Sequence, residues 1–508
     1  MVGSLSELAL LTPILYAAYL LYMSLRRRMG NIPTVGGTSF PVLSYRGSFH
    51  NIFHAAETIR EGYAKYKGHA FKYAELGNWR VIITGQRQID ELCKAPDTVI
   101  SFAEAANDSA QIVYTFAPEV HHDPYHAHLI RTQLTRNLAR IFPEMHDELM
   151  AAFNDEVRVV GEDWTRVRLK DAVTEIGFHY VSSMVLSNTL IAKAESGVLG
   201  RNSDYCLLNK TFTRDVIGGA FIIKLFPRAL RPLVSRFCTS VPARINRGIK
   251  HLEPTIKERF EQIEKHGKNW ADKPNDMLQW LIDAAQGKER TVRALVLRVL
   301  AVNFAAIHTT SVTFTQVMYY LAAHPQYASV LREEIEALVQ QEGWTKAAVD
   351  KMHKTDSFVK EVQRFTGLGA YAINRKALKD FTFADGTFIP AGTMIAASAR
   401  PIHFDDENYA NPDMFNPWRF SNMRTDEGTG LKYQMISTST QYLPFGHGKN
   451  ACPGRFFAAN EVKAMLAHVV MTYDVKTVED GVIPPPFWVL ASLVPNGKAD
   501  VLFRKRQT

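Results

Sequence analysis

The stretch Leu443-Pro444-Phe445-Gly446-His447-Gly448-Lys449-Asn450-Ala451-Cys452-Pro453-Gly454-Arg455-Phe456-Phe457 sets the reading of the chain. A lone cysteine stands behind two glycines and directly before Pro453 and Gly454, and an apolar helical pattern follows. Glycine lets a backbone approach a bulky flat group closely and take turns that side chains forbid. The peptide N–H groups of such a turn can aim at a sulfur and stabilise it as a thiolate. A thiolate held this way is an axial ligand for haem iron, one that favours O–O cleavage. The competing reading is that Cys452 is a small buried hydrophobe, the usual fate of a free cysteine.

Two further patterns weaken that alternative. Arg290 to Ala323 is the longest helical pattern, about 50 Å if unbroken at ~1.5 Å per residue. Its centre reads Ala305-Ala306-Ile307-His308-Thr309-Thr310. Further on, Glu361-Val362-Gln363-Arg364 places a carboxylate and a guanidinium three apart on one helix face, where they can pair. Any one such pair is a weak signal. Glu361 and Arg364, then Arg419 within Phe415-Asn416-Pro417-Trp418-Arg419-Phe420, then Cys452, make a specific set in a specific order. With Phe445, Gly448, Cys452 and Gly454, the chain resembles the cytochrome P-450 family over everything beyond its N-terminal region.

That resemblance implies a mainly α fold with a small β portion, the cytochrome P-450 fold, as one catalytic domain behind an N-terminal transmembrane anchor. It implies haem b, with Cys452 as the axial ligand of the iron and Phe445, Gly446, Gly448 and Gly454 shaping the loop around it. Arg375 and Arg131 fall where the family binds the haem propionates, and arginine suits carboxylates. The tryptophan usual four residues before Arg131 is Ala127 here, and Asn450 stands where the family's loop commonly has arginine or histidine. Lys449 is the candidate to replace that contact. Glu361, Arg364 and Arg419 correspond to a buried structural charge network, in which loss of one partner strands a charge. At the central helix the family has a small residue, then an acid and a threonine that relay protons. This chain keeps Ala305-Ala306 and Thr309, but His308 replaces the acid. Histidine can pass protons near neutral pH. The alternatives are a Thr309 hydroxyl bonded back to a helix carbonyl and a His308 that is a core residue.

By the same resemblance the substrate chamber draws on Phe304, Ala305 and Ile307, on Leu368, Ala370 and Tyr371, and on Phe487 and Trp488. These are apolar and aromatic walls, which suit a lipophilic substrate. The stretches 305–311 and 454–466 resemble filamentous-fungal members that oxidise diterpenes, indole diterpenes and meroterpenoids in secondary metabolism. The activity expected is monooxygenation, with electrons from NADPH delivered by NADPH–cytochrome P-450 reductase and with cytochrome b5 as a second possible donor. A haem-thiolate isomerase or dehydratase that needs no NADPH is the runner-up, and a non-catalytic haem sensor or carrier is the reading from another class.

Composition bounds the rest. At 508 residues, 46% apolar and 22% charged, the chain has ample material for a core. Cys93, Cys206, Cys238 and Cys452 include no Cys-x-x-Cys pair, which argues against a disulfide scaffold or structural zinc and fits a reducing compartment. The net charge of +8 is spread along the chain with no nucleic-acid module, so an anionic membrane surface and an acidic redox partner are the expected uses. Gly367-Leu368-Gly369-Ala370-Tyr371-Ala372 imitates a dinucleotide fingerprint but follows a helix where a strand is required. His121, His122, His126 and His128 cluster without a His-Glu-x-x-His arrangement, so no metal site is expected there.

Leu5 to Leu25 is mostly apolar and runs into Arg26-Arg27-Arg28. About 20 helical residues cross a bilayer core, and the trailing arginines keep the body cytoplasmic. The expectation is a single-pass anchor over 1–28 in the endoplasmic reticulum membrane, a Pro/Gly linker over 29–45 and a catalytic domain over 46–508 facing the cytosol. The sequons at Asn107 and Asn209 then stay unmodified. The apolar stretch from Gly218 to Phe237, with Lys224, Arg228, Arg231 and Arg236 interspersed, can dip into the membrane interface or pack as an ordinary amphipathic helix.

Overall fold

Val292–Ala323 forms one continuous helix, because its 32 residues contain neither glycine nor proline. Thr291 caps it, its hydroxyl accepting the Ala294 N–H at 3.3 Å. The helix stops at His324-Pro325, where proline cannot continue the ladder. It is apolar on nearly every side, so it runs through the interior as a core helix. It is also long and apolar enough to cross a membrane, but most of it is buried in the body. Helices Leu169–Val185, Ser203–Lys224, Val241–His266 and Arg455–Thr472 pack around it.

The computed structural model describes residues 29, 31–40, 43–76, 78–186, 202–424 and 430–507. The expected anchor over 1–28 lies outside them. Among the described residues helices dominate, and the strands form four small sheets. Its main sheet has five strands in the order Ala70–Glu75, Asn78–Ile83, Met394–Ser398, Tyr371–Ala377, Ile100–Ser101. Only the pairing of Asn78–Ile83 with Met394–Ser398 is parallel. A second sheet sets Asp500–Lys505 between Thr165–Arg168 and Tyr473–Thr477.

Strand-like runs in the sequence at 71–73, 80–84, 381–389, 488–493 and 500–503 predict β-structure, and strands lie in each. Asp385-Gly386 between two short strand-like runs is a hairpin signal, and it makes one, with Gly386 at φ +84 and Asp385 Oδ1 accepting the Thr387 N–H at 2.9 Å. Thr165–Arg168, Tyr371–Ala377, Met394–Ser398 and Tyr473–Thr477 are strands that local patterning did not reveal. Thr165–Arg168 interrupts a stretch whose patterning is helical because it pairs with the last strand of the chain, more than 300 residues away.

The segment expected to be a linker is partly built into the body. The Val35 N–H donates to Lys72 O at 2.9 Å and the Lys72 N–H to Pro33 O at 2.8 Å, while Met29, Ile32 and Val35 are buried. Apolar residues in a Pro/Gly-rich stretch explain this: they extend the sheet edge instead of spanning solvent.

Candidate haem-thiolate site

The cysteine loop is a series of tight turns that need its glycines. The Gly446 N–H donates to Leu443 O, the Ala451 N–H to Gly448 O, and the Cys452 N–H to Phe445 O, at 2.9, 3.0 and 2.9 Å. Gly446 and Gly448 take φ of +68 and +73, a region closed to most side chains. A Cβ on Gly448 would also stand 2.9 Å from Cys93 Cβ, so the loop presses on the 86–94 helix there. Gly454 has ordinary φ and opens the helix Arg455–Thr472.

The sulfur of Cys452 faces the N–H groups of Gly454 and Arg455, with the Arg455 charge nearby. Burial raises the thiol pKa, and those N–H groups and that guanidinium oppose the rise. A half-buried, N–H-cradled sulfur that would gain further from a cation is the donor chemistry of a thiolate metal ligand.

Across from the loop lies the central helix. One cleft is lined by Pro444 and Phe445 of the loop together with Thr309, Thr310, Thr313 and Gln316 of the helix, and by Leu368 and Gln363. Thr309 and Ala305 are exposed in the middle of a mostly buried helix, and Thr309 lines this space. The Thr309 hydroxyl donates to Ala305 O at 2.8 Å. Its proton is therefore spoken for, and its oxygen lone pairs are left as acceptors on the cleft side.

His308 turns about 100° away from Thr309. Burial lowers its pKa, against a raising contribution from the Asn209 main chain, and its Nε2 is buried with no partner among the described residues. Burial thus favours its neutral form. Asn209 itself is 3% exposed and its amide donates to Tyr205 O at 2.9 Å, so this sequon is enclosed.

Arg375 is 3% exposed, and the side-chain hydrogen bond it makes is to Asn374 O at 2.8 Å. No carboxylate pairs with it among the described residues, and burial lowers its pKa. A buried guanidinium without a counter-charge fits an anionic ligand group such as a propionate. Arg131 is exposed, lies in the π-helical turn Ile130–Leu134, and donates to Lys449 O at 3.3 Å. Lys449, the expected substitute at the loop, is held outside instead by Ala95 O at 2.8 Å and Asp97 at 3.3 Å.

Glu361, Arg364 and Arg419 meet in the core. Arg364 grips Glu361 with two hydrogen bonds of 2.8 and 2.9 Å, and Arg419 Nε reaches the same carboxylate at 3.1 Å. Glu361 is fully buried, and Arg419 spends its remaining N–H groups on Ala410, Asn411 and Met414 carbonyls. Every charge is paired or hydrogen-bonded, which is what makes such burial tolerable.

The expected chamber residues divide. Phe304 stacks edge-on against Phe116 at 5.7 Å, and Ala305 and Leu368 border open space. Ile307 does not: it lies about 200° around the helix from Thr309 and is 1% exposed in the main core. Ala370 is also withdrawn, fully buried in the small core that includes Tyr73 and Ala491. Its N–H and C=O are committed to Ala491 and Ala399, which turns its methyl inward. Tyr371 lies under the Arg80 guanidinium at 4.5 Å and Trp488 packs on the same small core, whereas Phe487 is 52% exposed. Thr313 and Gln316 on the cleft wall were not anticipated, although they follow Thr309 at the four- and seven-residue spacing of one helix face.

Comparison with known proteins agrees with this site. The cytochrome P-450 family profile matches residues 40–503. Cytochrome P-450 monooxygenase 151 of the fungus Postia placenta is 41% identical over 98% of this chain and 99% of its own. A Ganoderma lucidum cytochrome P-450 monooxygenase is 34% identical over 94% and 92%, and the monooxygenase atmQ of Aspergillus flavus is 31% identical over 94% and 88%. A cysteine cradled by peptide N–H groups, on a loop that shares a cleft with a threonine-lined central helix, and a buried Glu–Arg–Arg network belong with that match: this chain is a member of the cytochrome P-450 family, an oxidoreductase of the monooxygenase class.

Proposed function

We propose that the chain inserts one oxygen atom of O2 into an unactivated carbon of a lipophilic terpenoid, in fungal secondary metabolism, while anchored to the endoplasmic reticulum membrane. The observation that carries the reading is one cleft with the cysteine loop on one wall and Thr309 on the other. Haem bound there supplies thiolate-assisted O–O cleavage. Cys452 holds the iron, and the N–H groups of Gly454 and Arg455 keep negative charge on its sulfur. Arg375 and Arg131 bind the propionates. Thr309 accepts a proton-bearing group at Oγ1 on the cleft side, whereas His308, turned from the cleft with its Nε2 unpartnered, serves the core. Phe304 and Leu368 exclude water and select by shape.

Electrons come singly from NADPH through a reductase, whose acidic surface the net charge of +8 suits. Purified protein with NADPH, reductase and a terpenoid panel should give products labelled from isotopic dioxygen. Product formed equally without NADPH would contradict the reading and favour an isomerase or dehydratase.

Membrane attachment rests on 1–28 and on exposed Ile217, Phe221, Leu225, Leu233 and Phe237, which alternate with Lys224, Arg228, Arg231 and Arg236. Deleting 1–28 should release much of the protein from membranes with haem retained. Full retention on membranes would assign the attachment to the 217–237 surface alone.

A further inference from the structure

His403 is part of no motif, yet it sits between the two best-defined parts of the site. It ends the short helix Arg400–His403 and is 2% exposed. Its main-chain carbonyl accepts Arg364 Nη1 at 2.5 Å, the one hydrogen bond of that guanidinium not spent on Glu361. Its ring Nε2 lies 3.1 Å from the Leu443 N–H. A peptide N–H can only donate, so Nε2 must be the unprotonated acceptor.

Leu443 is the residue on which the cysteine loop starts. Its own carbonyl accepts the Gly446 N–H at 2.9 Å and so closes the first turn, and the Cys452 N–H then bonds Phe445 O. The neighbouring Tyr442 is fixed by the same machinery. Its ring stacks on His403 at 5.8 Å, and its hydroxyl donates to Gln363 Oε1 at 2.7 Å. A continuous series of bonded groups therefore runs Glu361, Arg364, His403, Leu443, Gly446.

We propose that His403 is a positioning residue: it transmits the placement of the buried Glu361–Arg364–Arg419 network to the cysteine loop by holding Arg364 through its carbonyl and Leu443 through Nε2. The inference rests on the loop being the haem-thiolate loop. An Nε2 acceptor at this point fixes where the first turn begins. Without it the Leu443 N–H is buried and unpaired, and the loop is free to shift to find a partner.

The test combines two variants of the full-length holoenzyme with two readouts. His403→Phe keeps ring volume and stacking but loses the acceptor, and His403→Gln restores a side-chain oxygen that can accept. Hydrogen exchange by mass spectrometry should show wild-type Leu443 among the slowly exchanging amides. In His403→Phe its exchange should rise roughly fivefold or more, the scale of one lost hydrogen bond. The carbon monoxide complex of reduced His403→Phe should lose part of its red-shifted Soret band, and His403→Gln should recover both signals.

Rapid exchange at Leu443 in the wild type would overturn the proposal even if the phenylalanine variant does not fold. So would a folded His403→Phe with wild-type exchange and spectrum. A wild type with protected Leu443 but no red-shifted band would instead overturn the haem-thiolate reading beneath it, which keeps the two failures apart.

Discussion

Thr309 illustrates how one side chain can satisfy both a bland and a chemical reading. Its hydroxyl donates to Ala305 O, as an ordinary helical threonine does, and that very bond turns its lone pairs to the cleft. Deleting the hydroxyl removes the acceptor but not the space. Thr309→Ala should therefore bind haem and substrate normally, consume NADPH, and form less product and more hydrogen peroxide. General acid–base groups contribute roughly 10²- to 10⁴-fold, so product per NADPH should fall by at least about tenfold. Unchanged coupling would remove Thr309 from the proton path. At this scale the sequence was informative about pairing: Glu361 and Arg364 meet across their three-residue spacing, and Thr309 lines the cleft that Phe445 of the cysteine loop also borders. It was uninformative about facing. Ile307 is two residues from Thr309 and so points the other way, and Lys449 is drawn outward by Asp97.

Elements add what single residues do not show. The strand Tyr371–Ala377 slips register by one residue against Met394–Ser398 between Ala372 and Arg375, and Ile373 there takes φ +55. Such a bulge re-aims the side chains beyond it, and here Arg375 points inward and is buried. No alternation in the sequence signals this, because the extra residue is seen only against its partner strand. The packing of the Ser44–Tyr66 helix on the sheet is another close fit. A Cβ on Gly62 would stand 2.3 Å from the ring of fully buried Phe71. Gly62→Ala, favourable by helix propensity alone, should instead destabilise by about 1–3 kcal/mol through overpacking. Denaturant unfolding checks it: a variant as stable as the wild type would show that the helix can lift off the sheet at little cost.

Over the whole molecule, burial of ionisable groups sets how stability responds to acid. Burial lowers the pKa of His126 to about 4, with Arg298 adding to the effect. His403 falls to about 3, through burial and then mainly Arg364, with Arg400 and Lys360 also contributing. His468 falls to about 4, through burial and then His146. Unfolded histidine titrates near 6.5, so below that pH the unfolded chain binds protons that the folded one refuses. Stability from these sites is thus complete above about pH 6.5 and is lost as pH falls toward 4 and then 3. Unfolding midpoints should decline from pH 7 to pH 5; a flat profile would mean that these imidazoles are not held neutral. The fold class was legible because the long apolar helix and the ordered motifs are local signals. The second sheet was not, because its strands meet only after the chain has closed on itself.

Cys452 as a thiolate ligand in a haem site has a direct spectroscopic signature. The reduced, carbon monoxide difference spectrum of membranes carrying the wild type should show a red-shifted Soret band, and Cys452→Ser should lack it while remaining folded. Folded, haem-loaded wild type without that band, or a Cys452→Ser variant that retains it, would contradict the account.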